Sequence, residues 1–183
     1  PTLILLLLLI VLGIYMGTSS IRYGWPTSKE SRKIEIAAKD KDVEELNQIL
    51  LKTRSLSAKL IVMYHLEKFK SLKSVPILVE MLGFDLPWWD KLDSELNPTP
   101  EEVRISSYQV LAEYKGTIAS QLEILTEGKK GYKQMYAAAL LYRLCNRSFK
   151  ETLEEYNDLG GKYAGDMWYI SKDLDISFST RSR

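Results

Sequence analysis

From Thr2 to Gly17 the chain carries no charged side chain, and the run stays uncharged through Ile21. After Ser20 the sequence becomes an ordinary mixture of charged and apolar residues. This asymmetry constrains the fold more than any other feature: one segment suited to hydrocarbon is joined to one folded domain. As a helix, residues 2–17 span about 24 Å, short of the roughly 30 Å hydrocarbon core of a bilayer. Continuation through Ile21 supplies the missing length. Arg22, Tyr23 and Trp25 then fall where interfacial residues belong, and Pro26 ends the helix. A cleaved signal peptide is the rival reading. It calls for a basic stretch before the apolar run, and none is present. The expectation is therefore a retained single-pass anchor over residues 1–25, with residues 2–21 in the bilayer. Arg22, Lys29, Arg32 and Lys33 all follow the run, which places the domain on the cytoplasmic side by the positive-inside rule. A periplasmic or otherwise translocated domain is the alternative.

The remainder is long enough for one core of its own. Its context is set by 45% apolar and 27% charged residues, values of a globular chain. A net charge of +1 argues against nucleic acid as a partner. One cysteine, Cys145, excludes an internal disulfide, and one histidine, His65, excludes any site needing two imidazoles. No cofactor, metal or small-molecule substrate is expected.

Helical periodicity dominates after Pro26. Apolar residues at 43, 46, 49 and 50 line one helix face, and Ser55–Leu66 reads as a broader, central helix. Ser74 is read as the cap of a helix burying Val75, Leu78, Val79 and Leu82 and ending at Gly83. Thr99-Pro100-Glu101-Glu102 starts another: a hydroxyl cap, proline at the first position, then acids on the positive end of the dipole. Further helices follow over Thr117–Thr126, Tyr132–Asn146 and Ser148–Asp158, with Ala137-Ala138-Ala139 allowing close approach. Longer helices alternate with shorter ones at a spacing of roughly 30–45 residues, the range of stacked helix hairpins.

Two phrases resemble HEAT-like repeats. Ser74-Val75-Pro76-Ile77-Leu78-Val79-Glu80-Met81-Leu82 is similar to the first-helix phrase, and Pro100-Glu101-Glu102-Val103-Arg104-Ile105-Ser106-Ser107-Tyr108-Gln109-Val110-Leu111 to the second. The resemblance covers about residues 42–156 and implies an all-α, right-handed solenoid of antiparallel hairpins that works by protein–protein docking. An irregular helical bundle without solenoid curvature stays open beside it. The expected layout is a linker with a first helical turn over 26–40, a helical domain over 41–159 interrupted by an insertion at 84–98, and an extended tail over 160–183.

The insertion holds Leu86, Trp88, Trp89 and Asp90, and loops of this length in compact domains are often functional. Paired tryptophans are typical interface anchors, although they equally cap a core. Dipping into a membrane interface is a third use, disfavoured by the neighbouring acids. Lys129, Lys130 and Lys133 are read as electrostatic balance for those acids. In the tail, Leu174, Ile176 and Phe178 alternate with Asp173, Asp175 and Ser177, the period of an extended segment. Trp168 and Phe178 join the insertion as candidate partner contacts. The resulting expectation is a non-enzymatic, membrane-anchored scaffolding subunit that binds other subunits of a membrane complex. The alternative is an exported or tethered hydrolase using Asp90, Asp93 and Glu95 as acid and base.

Overall fold

A computed structural model describes residues 23–87, 98–144 and 147–178. Among these residues the chain is all-helical, as the periodicity requires. Helices α1 (Ser28–Lys39), α2 (Val43–Lys52) and α3 (Leu56–Phe69) are followed by α4 (Val75–Leu82) and α5 (Pro100–Ala112). Then come α6 (Ala119–Thr126), α7 (Tyr132–Arg143), α8 (Lys150–Leu159) and α9 (Ala164–Asp173). No described helix is long and apolar enough to cross a membrane. The uncharged run over 2–21, on which the anchor expectation rests, lies outside the described residues.

Eight of the nine described helix starts fall into two kinds, each with its own chemistry, while α7 begins at Gly131 with neither a side-chain cap nor a 3₁₀ turn. Helices α1, α2, α3 and α5 begin at a polar cap: Thr27, Asp42, Ser55 and Thr99 each accept a backbone N–H from the third residue on. Thr27 and Thr99 form reciprocal capping boxes with Glu30 and Glu102. Helices α4, α6, α8 and α9 instead grow out of a preceding 3₁₀ turn, at Leu72–Ser74, Lys115–Ile118, Arg147–Phe149 and Gly161–Tyr163. There the tighter turn itself occupies the first backbone groups and no side-chain cap is needed. Ser74 is accordingly not a cap. It sits in αR conformation, fully buried, with its Oγ unpartnered.

Consecutive helices pack most extensively as the pairs α2–α3, α4–α5 and α6–α7, while the long helices α3, α5 and α7 touch in series. α7 is surrounded by α4, α5, α6 and α8. All of Met135 to Leu141 is therefore buried, and Ala137, Ala138 and Ala139 are the small residues that make room. The core runs continuously from Ile34 through Leu46, Met63, Leu78, Leu111 and Leu140 to Ile170. Each fully buried side chain of this size contributes roughly 1.5–3 kcal/mol.

Two expectations are corrected here. Residues 26–40 are not a linker with one turn: α1 is a complete helix of twelve residues. Its buried stripe is thin, only Ile34 and Ala37, so the apolar period was faint although the Thr27–Glu30 box was legible. The tail is not extended either, since residues 164–173 form α9. Tyr163, Asp166, Met167 and Ile170 are buried at helical spacing. Among the described tail residues, Leu174 and Asp175 form a turn and Ile176 to Phe178 are non-helical, so an extended segment does not reach back to Gly160.

Candidate functional site

The most elaborate polar site is the seam where α9 lies against α5 and α7. Asp166 is buried, and its carboxylate accepts two hydrogen bonds from the Arg104 fork, Nε to Oδ1 at 2.8 Å and Nη2 to Oδ2 at 2.7 Å. The Tyr136 hydroxyl donates to the same carboxylate at 2.5 Å. The third face of the guanidinium is used as well: Arg104 Nη1 donates to the Phe84 carbonyl at 2.9 Å, and the group stacks 3.8 Å from the Tyr132 ring centroid. A bidentate arginine–carboxylate pair whose guanidinium makes a further hydrogen bond and a ring contact is the arrangement that tolerates burial. Two helical turns further along α9, Asp173 accepts from the Tyr108 hydroxyl and from Arg143, both at 2.6 Å.

These charges reshape their neighbours. Burial first, and Asp166 second, push the Tyr136 hydroxyl far above its ordinary range. Burial likewise raises Tyr132, to about 12. The Glu101 carboxyl, set against Gly165, is raised by burial and by Asp166. Asp166 has both oxygens engaged and 1% of its surface exposed, so it cannot meet a substrate. The seam is a clamp for α9 rather than a reaction centre.

Its consequence is on the outer face of α9. With Asp166, Met167 and Ile170 held inward, Trp168 is turned out, 64% exposed, with Lys172 Nζ 5.1 Å from its ring centroid. Tyr169 stays partly covered, edge-on to Tyr108, and its hydroxyl accepts from Gln109 at 2.7 Å. A large aromatic on a helix fixed from behind is pre-organised for contact, because little side-chain or backbone freedom is left to lose.

The other expected contact residues fall in different places. Leu86 belongs to the core, and Phe178 packs half-buried against it, so neither is a free anchor. Trp88, Trp89 and Asp90, with Asp93 and Glu95 of the hydrolase alternative, lie outside the described residues. At the other end Tyr23 is also a core residue, at 9% exposure, which removes it from the set of interfacial aromatics. Trp25 is 80% exposed. Arg22 lies outside the described residues. Lys133 pairs with Glu80 of α4 at 2.6 Å, its stem crossing Gly83, and Lys130 pairs with Glu155 of α8 at 2.8 Å. These two lysines therefore answer acids of neighbouring helices.

A groove of about 230 Å³ between α1 and α2 is lined by Glu30, Lys33, Glu45, Gln48, Ile49, Lys52 and Thr53, and Lys33 and Glu45 pair across it. That is smaller and more polar than a usual ligand pocket. Among the described residues, no group of three or more His, Cys, Asp or Glu is placed to hold a metal ion. Sequence reasoning missed Asp166 and read Asp173 only as a polar position of the tail's alternation. Each lies more than 60 positions from the α5 partner it meets, and only the fold brings them together. The chain matches no family model, no curated protein and no solved structure.

Proposed function

We propose that this protein is a non-enzymatic, membrane-anchored scaffolding subunit that docks other subunits of a membrane complex. In this reading residues 2–21 hold the domain at the bilayer, and the paired helices form a short HEAT-like platform. The observation that carries it is Trp168, exposed on a helix whose opposite face is locked by the buried Arg104–Asp166 pair. The paired packing of successive helices and the serial contact of α3, α5 and α7 support the platform. Trp88 and Trp89 of the insertion are proposed as a second anchor on the same platform.

The test is purification of the full chain from its native membrane in mild detergent, with and without Trp168→Ala. Loss of a central tryptophan anchor costs at least about 2 kcal/mol, a thirtyfold weakening, when the residue is a hot spot. The expected outcome is loss of the same co-purifying chains at unchanged far-ultraviolet circular dichroism. Recovery of the unmodified protein as a lone monomer would reject the scaffold reading.

A further inference from the structure

One end of the domain has a composition unlike the rest. The Ser55 hydroxyl donates to the Gly24 carbonyl at 2.6 Å, and Thr53 Oγ1 donates to Glu30 Oε1 at 2.6 Å. These bonds gather the start of α1, the end of α2 and the start of α3 at one edge. Between residues 23 and 34 and between residues 51 and 59, Glu30 is the only acid. Its carboxylate is occupied by Thr27 and Thr53. The same segments carry Lys29, Arg32, Lys33, Lys52 and Arg54, all exposed at the surface. Of these five cations, only Lys33 has an ionic partner among the described residues, Glu45. Trp25 stands among these cations, and Leu51 is exposed in the last turn of α2. An exposed tryptophan on an edge where Lys29, Arg32, Lys52 and Arg54 have no ionic partner among the described residues is poorly explained by folding, since neither contributes to the core.

The occupant follows from chemistry and chain path. Tryptophan prefers the headgroup level of a bilayer, and lysine and arginine there are drawn to anionic lipid. The uncharged run ends at Ile21, four residues before Trp25, a reach of at most about 14 Å. We infer that this edge, formed by Trp25, Lys29, Arg32, Lys52 and Arg54, is a docking face for the surface of an anionic phospholipid bilayer. The inference rests on the membrane-anchor reading and adds to it an orientation and a lipid preference. The domain lies with its α1–α3 edge on the headgroups, which leaves α9 and Trp168 to face other partners.

The test reconstitutes the full chain into vesicles of brominated phosphatidylcholine, alone or mixed with phosphatidylglycerol. The Trp25 contribution to fluorescence quenching is the difference between the unmodified chain and Trp25→Phe. The expected result is a Trp25 contribution that grows with phosphatidylglycerol, falls with added salt and disappears in Lys29→Gln/Lys52→Gln/Arg54→Gln. Each cation near such a surface is worth about a fivefold change in binding, so the triple variant loses on the order of a hundredfold. Circular dichroism of these surface variants checks that they fold. Quenching that ignores phosphatidylglycerol, or no Trp25 contribution, would overturn the inference. An alkaline carbonate wash reports on the anchor separately. A chain stripped from neutral vesicles that still shows lipid-charge-dependent Trp25 quenching keeps the docking face and loses the anchor.

Discussion

Lys59 has an unusual environment for a lysine: it is 3% exposed and has no carboxylate partner among the described residues. Its ammonium donates to the Leu50 carbonyl at 2.6 Å, one of the last carbonyls of α2, and lies 5.0 Å from the Phe84 ring centroid. A cation at a helix C-terminus complements the dipole. Even so, burial brings the Lys59 pKa down to about 8. A lysine lowered in the folded state penalises folding while it is charged in both states, and the penalty lifts as pH rises from about 8 toward its unfolded value. Stability therefore increases between pH 8 and 10, by up to about 3 kcal/mol from this group. Buried tyrosines such as Tyr136 act in the opposite sense once pH passes the unfolded tyrosine value near 10. Urea titrations at pH 7 and pH 9.5 check this, and in Lys59→Met the gain should vanish. A second prediction concerns the clamp. Asp166→Asn leaves the Arg104 charge buried without its counter-ion and should cost about 3–5 kcal/mol. Arg104→Met/Asp166→Leu should recover much of that, less the cost of the orphaned Tyr136 hydroxyl. If Asp166→Asn shifts the urea midpoint no more than an exposed substitution does, the clamp contributes little.

Among the elements, α9 is the one whose role changed most. Successive glycines at Gly160 and Gly161, both at φ of 54°, turn the chain from α8 back toward α5. A residue with a Cβ is strained at such a φ, so the bend depends on these two positions. Once turned, α9 buries Met167 and Ile170 beside Tyr136 and Tyr108 and is no free tail. Amide hydrogen exchange should therefore protect residues 167–170 to the level of α5, well above the first turn of α1. Exchange of α9 on the timescale of exposed turns would show that the clamp does not hold it. The capping boxes offer a more local check. Thr99→Ala removes the hydroxyl that accepts the Glu102 N–H at the head of α5, keeps the Thr99 backbone N–H bond to the Glu102 carboxylate, and should destabilise by about 1 kcal/mol in thermal melts. At Ser74, where no cap exists, Ser→Ala should instead be neutral or slightly stabilising, because it removes an unpartnered buried hydroxyl.

At the scale of the molecule, the two exposed tryptophans among the described residues are unlike. Trp25 sits among cations at the edge where the uncharged run enters, and Trp168 sits on the clamped helix near the other terminus. Under the proposed function these face different environments, lipid and protein, and the two substitutions should separate. Trp168→Ala should weaken subunit association and leave lipid quenching unchanged, whereas Trp25→Phe should do the reverse. Equal effects of both on both measurements would mean that the two residues share one surface.

What could be read from the residues alone is what depends on near neighbours in the chain. Helix positions follow from periodicity and caps, as at Thr99–Glu102 and Val43–Leu50, because a helix satisfies its backbone within itself and its signals lie within four residues. Gly83 and the Pro100 start were legible for the same reason. The tertiary structure decided what depends on partners distant in sequence. Asp166 became a counter-ion to Arg104 across 62 positions. Tyr23 and Leu86 became core where local sequence suggested surface, and Trp168 became exposed because its helix is held from behind. Burial is a property of packed neighbours, and the period of a single segment tells which side chains share a face but not what that face will meet.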